Sequence, residues 1–521
     1  MSRAEPSPAS VWRSRLVEMN TAVRRLFERT YGDDAELAAH KRRLLIAMIE
    51  RTMSLWGNVP VVAARAPGRV NLMGRHIDHQ GGSGNMIAID RDILMLVSPR
   101  EDSWIHVENL DSGTWDSDRF KLEEIRNWPS DTEWLQGINS AKHREKLKSY
   151  CKHWSVYLKA VLARIQTAFP QVFLPGLNVL ASGDIPIAGG LSSSSALVVA
   201  FTEALTRLLR LPVESSEFAV MCGEAEWYVG TRGGAGDHAA MKLAKKDRVV
   251  HIGFHPLRRL SHFPFPSDYR LAVCHSGILA KKRENVREIF NHRVACYHAA
   301  REWFKLEHPA LAGRIEHLRD INSSHLGLGK AALFEAMKKI PLSVTRAQIL
   351  ARIREPLTLS LVESGGDAAA YPLRAVMLFG LAECERSRRT PELLRRGEFA
   401  LFGRWMNISH NGDRVTGRGP NDYSDRQLDG LKERDLAEIA GGYSCSDPNI
   451  DRMVDIAIRQ PGVLGAQLSG AGLGGCMMAL VRGDGVQDLI TALENEYYRP
   501  GGFEPVTLIC RPVAGSESLP I

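Results

Sequence analysis

A run of charged and imidazole side chains stands between two apolar segments near residue 75. Residues 65–82 read RAPGRVNLMGRHIDHQGG and include Arg75, His76, Asp78 and His79. The flanking segments are short and rich in Val, Ile and Leu, which is typical of β-strands. Because binding side chains are often placed on loops between strands, this cluster is a candidate ligand site.

A second candidate site is the stretch PIAGGLSSSSALVVAF at residues 186–201. The pattern predicts a loop that leads directly into a long apolar helix. Backbone N–H groups of Gly189, Gly190 and the serines could bind phosphate with the help of the helix dipole, and the hydroxyls could bind Mg²⁺. An ordinary serine-rich N-cap is an equally good interpretation of this stretch alone. The P-loop pattern GxxxxGK[ST] does not occur.

Two carboxylates and a third glycine-rich segment complete the candidate set. Glu226 is predicted near the end of a helix, where a carboxylate can bind a metal ion. Asp237 follows a run of glycines, where it can contact a substrate hydroxyl. Taken alone, each is better explained as an ordinary helix-end or turn residue. LSGAGLGGC at 468–476 predicts a turn between two strands, and a plain hairpin is as good an interpretation as a ligand loop.

The elements that would position these residues alternate along the chain. Residues 1–56 have the apolar spacing of helices, residues 59–110 are strand-like, and further strands are predicted at LNVLAS, RVVHIGF and YRLAVCHSG. Residues 111–150 are predicted to form a polar connection and residues 411–442 a surface excursion. Alternating strands and helices over 521 residues predict an α+β protein of two or three domains.

Composition points away from several classes of protein. The net charge is +7, without a long Lys/Arg block and without aromatic residues between the basic ones, which does not favour nucleic-acid binding. The eight cysteines form no CxxC pair and no zinc spacing, and the N-terminus lacks an apolar signal-peptide core. No stretch approaches 18 apolar residues. We expect a cytoplasmic protein with small-molecule partners and neither nucleic acid nor membrane. The oligomeric state is not indicated.

Taken in order, these clusters resemble the motifs of the GHMP kinases, within them the galactokinase, N-acetylgalactosamine kinase and galacturonokinase branch. RAPGRVNLMGRHIDHQGG resembles the first motif of that branch, PIAGGLSSSSA the second and LSGAGLGGC the third. CGEAEWYVGTRGGAGDH is similar to the segment before the catalytic aspartate of N-acetylgalactosamine kinases. The resemblance covers residues 60–490.

The resemblance implies the two-domain GHMP kinase fold. The N-terminal domain would be of the ribosomal protein S5 domain 2-like type and the C-terminal domain ferredoxin-like, with the active site in the cleft between them. We place the boundary so that residues 1–255 contain the sugar and phosphate-loop motifs and residues 256–521 form the C-terminal domain.

The resemblance also implies roles in phosphate transfer from ATP to a sugar. Asp237 would be the catalytic aspartate beside the anomeric hydroxyl, and Arg69 would neutralise charge between it and the γ-phosphate. Ser194 and Glu226 would bind Mg²⁺. The residues implied to contact ATP are Gly189, Gly190, Leu191, Ser192, Ser193, Ser194, Ser195, Gly470 and Gly472. The residues implied to contact the sugar are Arg75, His76, Asp78, His79, Gly236 and Phe290.

The sugar-binding positions depart from the galactokinase pattern. Arg75 stands where that pattern has Glu, His79 and Gln80 stand where it has Tyr and Asn, His238 replaces Gln, and Phe290 replaces Tyr. Because Arg only donates hydrogen bonds, the first change predicts an anionic or acceptor-rich group near carbon 6 of the sugar. A uronate such as galacturonate is the leading candidate.

Two alternatives bear on this interpretation. Arg75 could turn outward and pair with a nearby carboxylate such as Asp78 or Asp90, in which case the uronate preference would not arise. The protein could also be a non-catalytic sugar and ATP sensor on the same fold. The catalytic and metal-binding residues that the sequence retains argue against a sensor. We therefore expect ATP-dependent phosphorylation of the anomeric hydroxyl of a galactose-type sugar.

Overall fold

The structure, a computed structural model, describes residues 6–126, 134–140, 143, 145, 153–186, 189–230, 233–278, 286–364, 370–417 and 423–520. Its strands in chain order are β1 (Ser7–Pro8), β2 (Pro60–Met73), β3 (Ser83–Arg100), β4 (Trp104–Asn109), β5 (Asp118–Lys121), β6 (Gly176–Gly183), β7 (Arg248–Gly253), β8 (Arg258–Pro264), β9 (Tyr269–His275), β10 (Val463–Leu468), β11 (Cys476–Arg482), β12 (Thr507–Cys510) and β13 (Glu517–Ser518).

The helices connect and cover these strands. In chain order they are α1 (Ala9–Glu18), α2 (Thr21–Tyr31), α3 (Ala35–Trp56), α4 (Glu123–Arg126), α5 (Trp134–Asn139), α6 (Val156–Ala168), α7 (Ser193–Leu208), α8 (Ser215–Tyr228), α9 (Gly236–Leu243), α10 (Val286–Glu307), α11 (Pro309–Ala312), α12 (Ser323–Leu326), α13 (Lys330–Lys338), α14 (Arg346–Arg352), α15 (Pro356–Ser364), α16 (Leu373–Arg395), α17 (Phe399–Asp413), α18 (Asp425–Asp429), α19 (Pro448–Ala457), α20 (Val486–Leu493) and α21 (Arg499–Gly501).

The larger sheet is built around β2 and β3, which are buried at most of their positions. Its order is β1-β2-β3-β6-β4-β5, with β7 and β8 continuing from β3 and β13 pairing with β2. Val61 and Ala63 of β2 pack against the N-terminal helices, and Val62 and Ala64 pack into the core shared with α6 and α7. Because side chains alternate across a strand, this sheet has helices on both faces. The segment RAPGRVNLM is the second part of β2, and most of its residues are buried. Arg69 is therefore a strand residue and not a loop residue.

The smaller sheet is antiparallel and has the order β10-β11-β9-β12. Helices α19 and α20 pack their apolar residues on its inner face. A four-stranded antiparallel sheet with two helices on one face agrees with the predicted ferredoxin-like domain. The α+β fold class is thus confirmed, as are the strands predicted at LNVLAS, RVVHIGF and YRLAVCHSG, which are β6, β7 and β9.

The described residues between β9 and β10 form a helical layer with a core of its own. The predicted surface excursion at 411–442 is wrong at its start, because Gly412 and Asp413 end α17 inside the protein, and at single apolar positions such as Leu428 and Ile439, which are buried. Residues 415–417, 425–427 and 432–434 are exposed as predicted. Residues 418–422 of the excursion, and parts of the 111–150 connection, lie outside the described residues.

The division of the chain at 255/256 stays a prediction. β8 belongs to the larger sheet and ends at Pro264, and the C-terminal β13 returns to that sheet. In the part of the chain that the structure describes, no helix combines the length and apolar character needed to cross a membrane.

Candidate active site

The centre of the site is an ion pair between Arg69 on β2 and Asp237 at the start of α9. Arg69 Nε donates to Asp237 Oδ1 at 2.6 Å and Nη2 donates to Oδ2 at 2.5 Å, which is the two-point geometry that guanidinium and carboxylate prefer. Arg69 is 6 % exposed, whereas the Asp237 side chain is 33 % exposed. The aspartate is therefore the member of the pair that a bound molecule can reach.

The surroundings of Asp237 keep it ionised. Burial alone disfavours a charged carboxylate, but Arg69 and a hydrogen bond from Ser192 Oγ hold the pKa of Asp237 below its usual value. An ionised carboxylate can accept the hydrogen bond of a substrate hydroxyl, and it can orient that hydroxyl or take its proton.

The predicted phosphate loop lies directly beside this pair. α7 begins at Ser193, and its N-cap residue Ser192 has φ 58°, in the left-handed region. The Ser192 hydroxyl donates to Asp237 and makes no capping bond to the helix. The first N–H groups of α7 are therefore available to another acceptor, and the helix dipole favours an anionic one. This differs from the ordinary serine N-cap that was the alternative interpretation.

All three sequence motifs meet at Gly190. Its carbonyl oxygen accepts from Arg69 Nη1 at 2.7 Å and from Ser469 Oγ at 3.3 Å. Gly190 has φ 71°, and a Cβ atom there would lie 2.6 Å from the Ser469 carbonyl oxygen, so this contact requires glycine. Gly470 lies against the same backbone. The turn between β10 and β11 is thus a wall of the site and not an isolated hairpin.

The remaining loop residues fix how this wall is attached. The Leu191 carbonyl accepts from the Arg69 N–H at 3.3 Å, and Gly189 packs beside Cys476 on β11. Gly472 packs against the carbonyl group of Cys445 in the helical layer. The predicted nucleotide residues of the second and third motifs are therefore brought together, although Gly472 faces the helical layer.

Glu226 lies behind the phosphate loop, near the end of α8 as predicted. Its Oε1 accepts from Ser195 Oγ at 2.7 Å and is 3.5 Å from His238 Nε2. Ser194, predicted to share a metal ion with Glu226, is half-buried in the same first turn. Hydroxyl and carboxylate oxygens are the ligands that Mg²⁺ prefers, so the donors present fit this ion. No group of three or more His, Cys, Asp or Glu side chains among the described residues could hold a metal ion.

The residues predicted to contact the sugar lie mostly on the loop between β2 and β3. Asp78 begins a short 3₁₀ turn, Asp78–Gln80. A Cβ atom at Gly234 would come within 2.4 Å of Asp78 Oδ2, and one at Gly236 within 3.3 Å. Asp78 is therefore packed against the residues that lead into Asp237. Burial opposes its charge, but the hydrogen bond from His79 holds the pKa of Asp78 below its usual value.

His79 connects this loop to the helical layer. Its Nδ1 lies 3.1 Å from Asp78 Oδ1, and its ring lies 5.9 Å from that of Tyr297 in an edge-on arrangement. Phe290 lies on the same face of α10 as Tyr297, and its ring centroid is 6.4 Å from that of His79. The predicted sugar residues Asp78, His79, Gly236 and Phe290 are thus neighbours.

Arg75 is placed differently from the expectation that it faces the sugar. It is 2 % exposed, and its Nη2 donates to Asp413 Oδ2 at 2.8 Å and to Ser409 Oγ at 3.0 Å. Its Nη1 donates to the Leu468 carbonyl oxygen at 3.2 Å. Neither predicted orientation describes this, because Arg75 pairs with a carboxylate inside the protein and not with Asp78 or Asp90 on the outside. Its charge is neutralised before any ligand binds.

His76 shares the partner of Arg75. Its Nε2 lies 3.5 Å from Asp413 Oδ1, and its ring stacks on Tyr443 with 4.3 Å between centroids. Burial disfavours a charged Asp413, but His76 and then Arg75 hold the pKa of this carboxyl below its usual value. His76 is therefore a buried link between the loop and the helical layer.

Comparison with known proteins agrees with the geometry. Residues 156–245 match the model described as GHMP kinases N terminal domain, and residues 392–499 match GHMP kinases C terminal. Residues 54–99 match the galactokinase galactose-binding signature. The chain belongs to the GHMP kinase family. Within that family it is galactokinase-like, as its first motif predicted.

Individual relatives of this GHMP kinase cover nearly all of it. A galactokinase of Roseiflexus sp. (strain RS-1) is 27 % identical over 89 % of this chain and 94 % of its own length. A galactokinase of Chloroflexus aurantiacus is 26 % identical over 88 % and 94 %. The crystal structure of Lactococcus lactis galactokinase complexed with galactose has a TM-score of 0.66 at 22 % identity, covering 91 % of this chain and all of that one. The two-domain GHMP kinase fold is confirmed.

The site of this GHMP kinase includes residues that the sequence did not single out. Glu383 on α16 is fully buried and accepts from the N–H groups of Gly74 and Arg75. Asp413 and Ser409, at the end of α17, bind the Arg75 side chain. The only sequence signal is an unpaired Arg in the first motif, which requires a carboxylate somewhere and does not indicate where.

Proposed function

We propose that this galactokinase-like enzyme transfers the γ-phosphate of ATP to the anomeric hydroxyl of a galactose-type sugar. The observation that carries the proposal is the Arg69–Asp237 pair, which lies between the N-terminus of α7 and the loop that contains Asp78. Nucleotide phosphates would bind at the N–H groups of residues 189–195. The sugar would bind against Asp78, within reach of the exposed Asp237 carboxylate.

The chemistry needs little more than this arrangement. Phosphoryl transfer depends on holding the attacking and leaving oxygens in line and on neutralising charge at the transferred group. Asp237 would orient the sugar hydroxyl, and Arg69 would offset the charge of both the aspartate and the γ-phosphate. Bound Mg²⁺ would supply further neutralisation at the phosphates. The N–H groups at the start of α7 provide a rigid anion site that needs no rearrangement.

We further propose Ser194 and Glu226 as the protein ligands of Mg²⁺, with Ser195 positioning Glu226. Ser194→Ala and Glu226→Gln should each raise the Mg²⁺ concentration for half-maximal rate by about tenfold or more, because so few protein ligands are available. Ser195→Ala should have a smaller effect, since Glu226 keeps its carboxylate. A Mg²⁺ titration at fixed ATP measures this. Equal titrations for all three variants and the wild type would remove these residues from the metal site.

For the substrate we propose a neutral sugar over the uronate that Arg75 predicted. The support is the contact set of Arg75, whose guanidinium donates to Asp413, Ser409 and Leu468 and is shielded from the cleft. A guanidinium already neutralised by a buried carboxylate gives an anionic sugar no advantage. The galactose-binding signature matched by residues 54–99 supports the same choice.

A sugar panel tests the proposed function directly. Galactose, N-acetylgalactosamine, galacturonate and glucose would each be incubated with Mg-ATP, with ADP release coupled to NADH oxidation and the product followed by ³¹P NMR. We expect turnover with galactose or N-acetylgalactosamine, a lower kcat/KM with galacturonate, and an acid-labile product as a sugar 1-phosphate requires. If galacturonate gave the highest kcat/KM of the panel, the result would favour a uronate substrate over a neutral sugar. No ADP release with any sugar would instead support the sensor.

A further inference from the structure

Two buried carboxylates from the helical layer hold the backbone and side chains of the loop at residues 74–79. Glu383 on α16 accepts from Gly74 N at 2.8 Å and from Arg75 N at 3.2 Å. It is held in turn by Arg386 Nε at 2.8 Å. Both side chains of the Glu383–Arg386 pair are fully buried. The loop backbone is therefore attached to α16 and cannot rotate freely.

The second carboxylate, Asp413, acts on the side chains of the same loop. It is fully buried, accepts from Arg75 at 2.8 Å, and lies 3.5 Å from His76. His76 has φ 61°, which a non-glycine residue adopts only when its surroundings hold it there. The stacking of its ring on Tyr443 and the contact with Asp413 are such surroundings.

The buried ion pair of Arg75 and Asp413 depends on both of its members. Removing one partner of a buried ion pair leaves an uncompensated charge, and the remaining side chain must move toward water or another partner. Arg75 reaches its three acceptors from one loop position, so any such movement carries the loop with it. Asp78 and His79 follow within four residues of Arg75, and Asp78 lies beside Gly234 and Gly236.

We propose that Asp413 is a positioning residue for the sugar site, acting through Arg75 and His76 to fix the loop that carries Asp78. The inference rests on the proposed sugar kinase function and extends it to α17 of the C-terminal half. The site would thus be complete only when the helical layer is docked on the loop. Asp413 does not itself contact the substrate.

The variant Asp413→Asn tests this proposal through the KM for galactose compared with the KM for ATP. General destabilisation of the protein would not change one of these values without the other. We expect the KM for galactose to rise by about tenfold or more, because small misplacements of binding groups have large costs, while the KM for ATP stays within about twofold. Asp92→Asn is the matched control. Asp92 is equally buried and pairs with Arg65 at 2.7 Å and Lys41 at 3.0 Å. It should lower the melting temperature and leave both KM values unchanged.

A double variant separates positioning through Arg75 from an independent effect. In Arg75→Met/Asp413→Leu both charges are gone, and the KM for galactose should be no higher than in Arg75→Met or Asp413→Leu alone, since all three variants remove the same interaction. A double variant that multiplies the two single effects overturns the proposal. If Asp413→Asn does not fold, Arg75→Lys takes its place, because lysine keeps the charge and loses the fork of contacts. It should still raise the KM for galactose, and an unchanged value overturns the proposal.

Failure of the proposed function is distinguishable from failure of this inference. If the wild type releases no ADP with any sugar, the proposed function fails. The Kd for galactose from calorimetry then replaces KM in the same set of variants. A wild-type Kd or KM that Asp413→Asn leaves unchanged overturns the inference, as does a sugar that does not bind at all. Equal increases in the KM values for sugar and ATP also overturn it, because they indicate damage to the whole site.

Discussion

Replacing Asp237 with asparagine is expected to lower kcat by about 10²–10⁴-fold while ATP binding survives. The amide keeps the size of the side chain and can still accept from Ser192, but it no longer carries the charge that orients the sugar hydroxyl. ATP binding should persist because the N–H groups at the start of α7 do not depend on this carboxylate. Single-turnover rates and calorimetry with a non-hydrolysable ATP analogue measure the two effects separately.

The matched control for this variant is Asp247→Asn. The Asp247 side chain is 70 % exposed and pairs only with Lys246 among the ion pairs of the described residues, so its loss should leave kcat unchanged. An Asp237→Asn enzyme that retains more than a tenth of the wild-type kcat at saturating sugar would remove Asp237 from the catalytic role. A loss of ATP affinity equal to the loss of rate would indicate that Asp237 acts through the phosphate loop.

The features that could be predicted from sequence are those written in one continuous segment. The candidate phosphate loop and α7 follow each other directly, so glycines, serines and an apolar run predict this loop and helix from local chemistry, although a serine-rich N-cap was an equally good interpretation of the stretch alone. The turn between β10 and β11 is likewise contained within LSGAGLGGC. That it meets the phosphate loop at Gly190 is a tertiary contact, which only the resemblance to GHMP kinases indicated.

Side-chain direction was the part that sequence could not supply. Four consecutive serines on one turn point in directions about 100° apart, so the one that meets Glu226 depends on where the helix begins. The structure begins it at Ser193 and gives the hydrogen bond to Ser195, while Ser192 turns to Asp237. Type and spacing predicted the group of serines and not their separate contacts.

Arg75 shows the same limit at longer range. Its residue type indicated a partner that accepts hydrogen bonds, and the two alternatives placed that partner either in the sugar or in a carboxylate near Arg75 in sequence, such as Asp78 or Asp90. The partner is Asp413, which is 338 residues away. Its segment was predicted to lie at the surface because Gly, Asp, Arg and Pro are common there. The end of α17 is nevertheless buried, and its carboxylate is tolerated there because Arg75 of the first motif neutralises it.

Removal of Arg69 should lower the rate and also change its pH dependence. In the wild type, Arg69 holds the pKa of Asp237 below its usual value, so the ionised form persists well into the acid range. In Arg69→Met the hydrogen bond from Ser192 remains, but the guanidinium no longer offsets burial, which raises the pKa of a carboxyl. Asp237 would then take up its proton at a higher pH. The acid limb of kcat/KM for the sugar should therefore move to higher pH.

The size of the rate loss follows from the two contacts that Arg69 provides. It is the cation beside Asp237 and the donor to the Gly190 carbonyl oxygen, so its loss should lower kcat by about 10²–10³-fold, as for other preorganised donors. Arg69→Lys separates charge from geometry. Lysine retains the positive charge, so the acid limb should stay near that of the wild type while kcat still falls, because the two-point contact is gone. An acid limb that is the same in Arg69→Met and the wild type would show that Asp237 does not depend on Arg69 for its charge state.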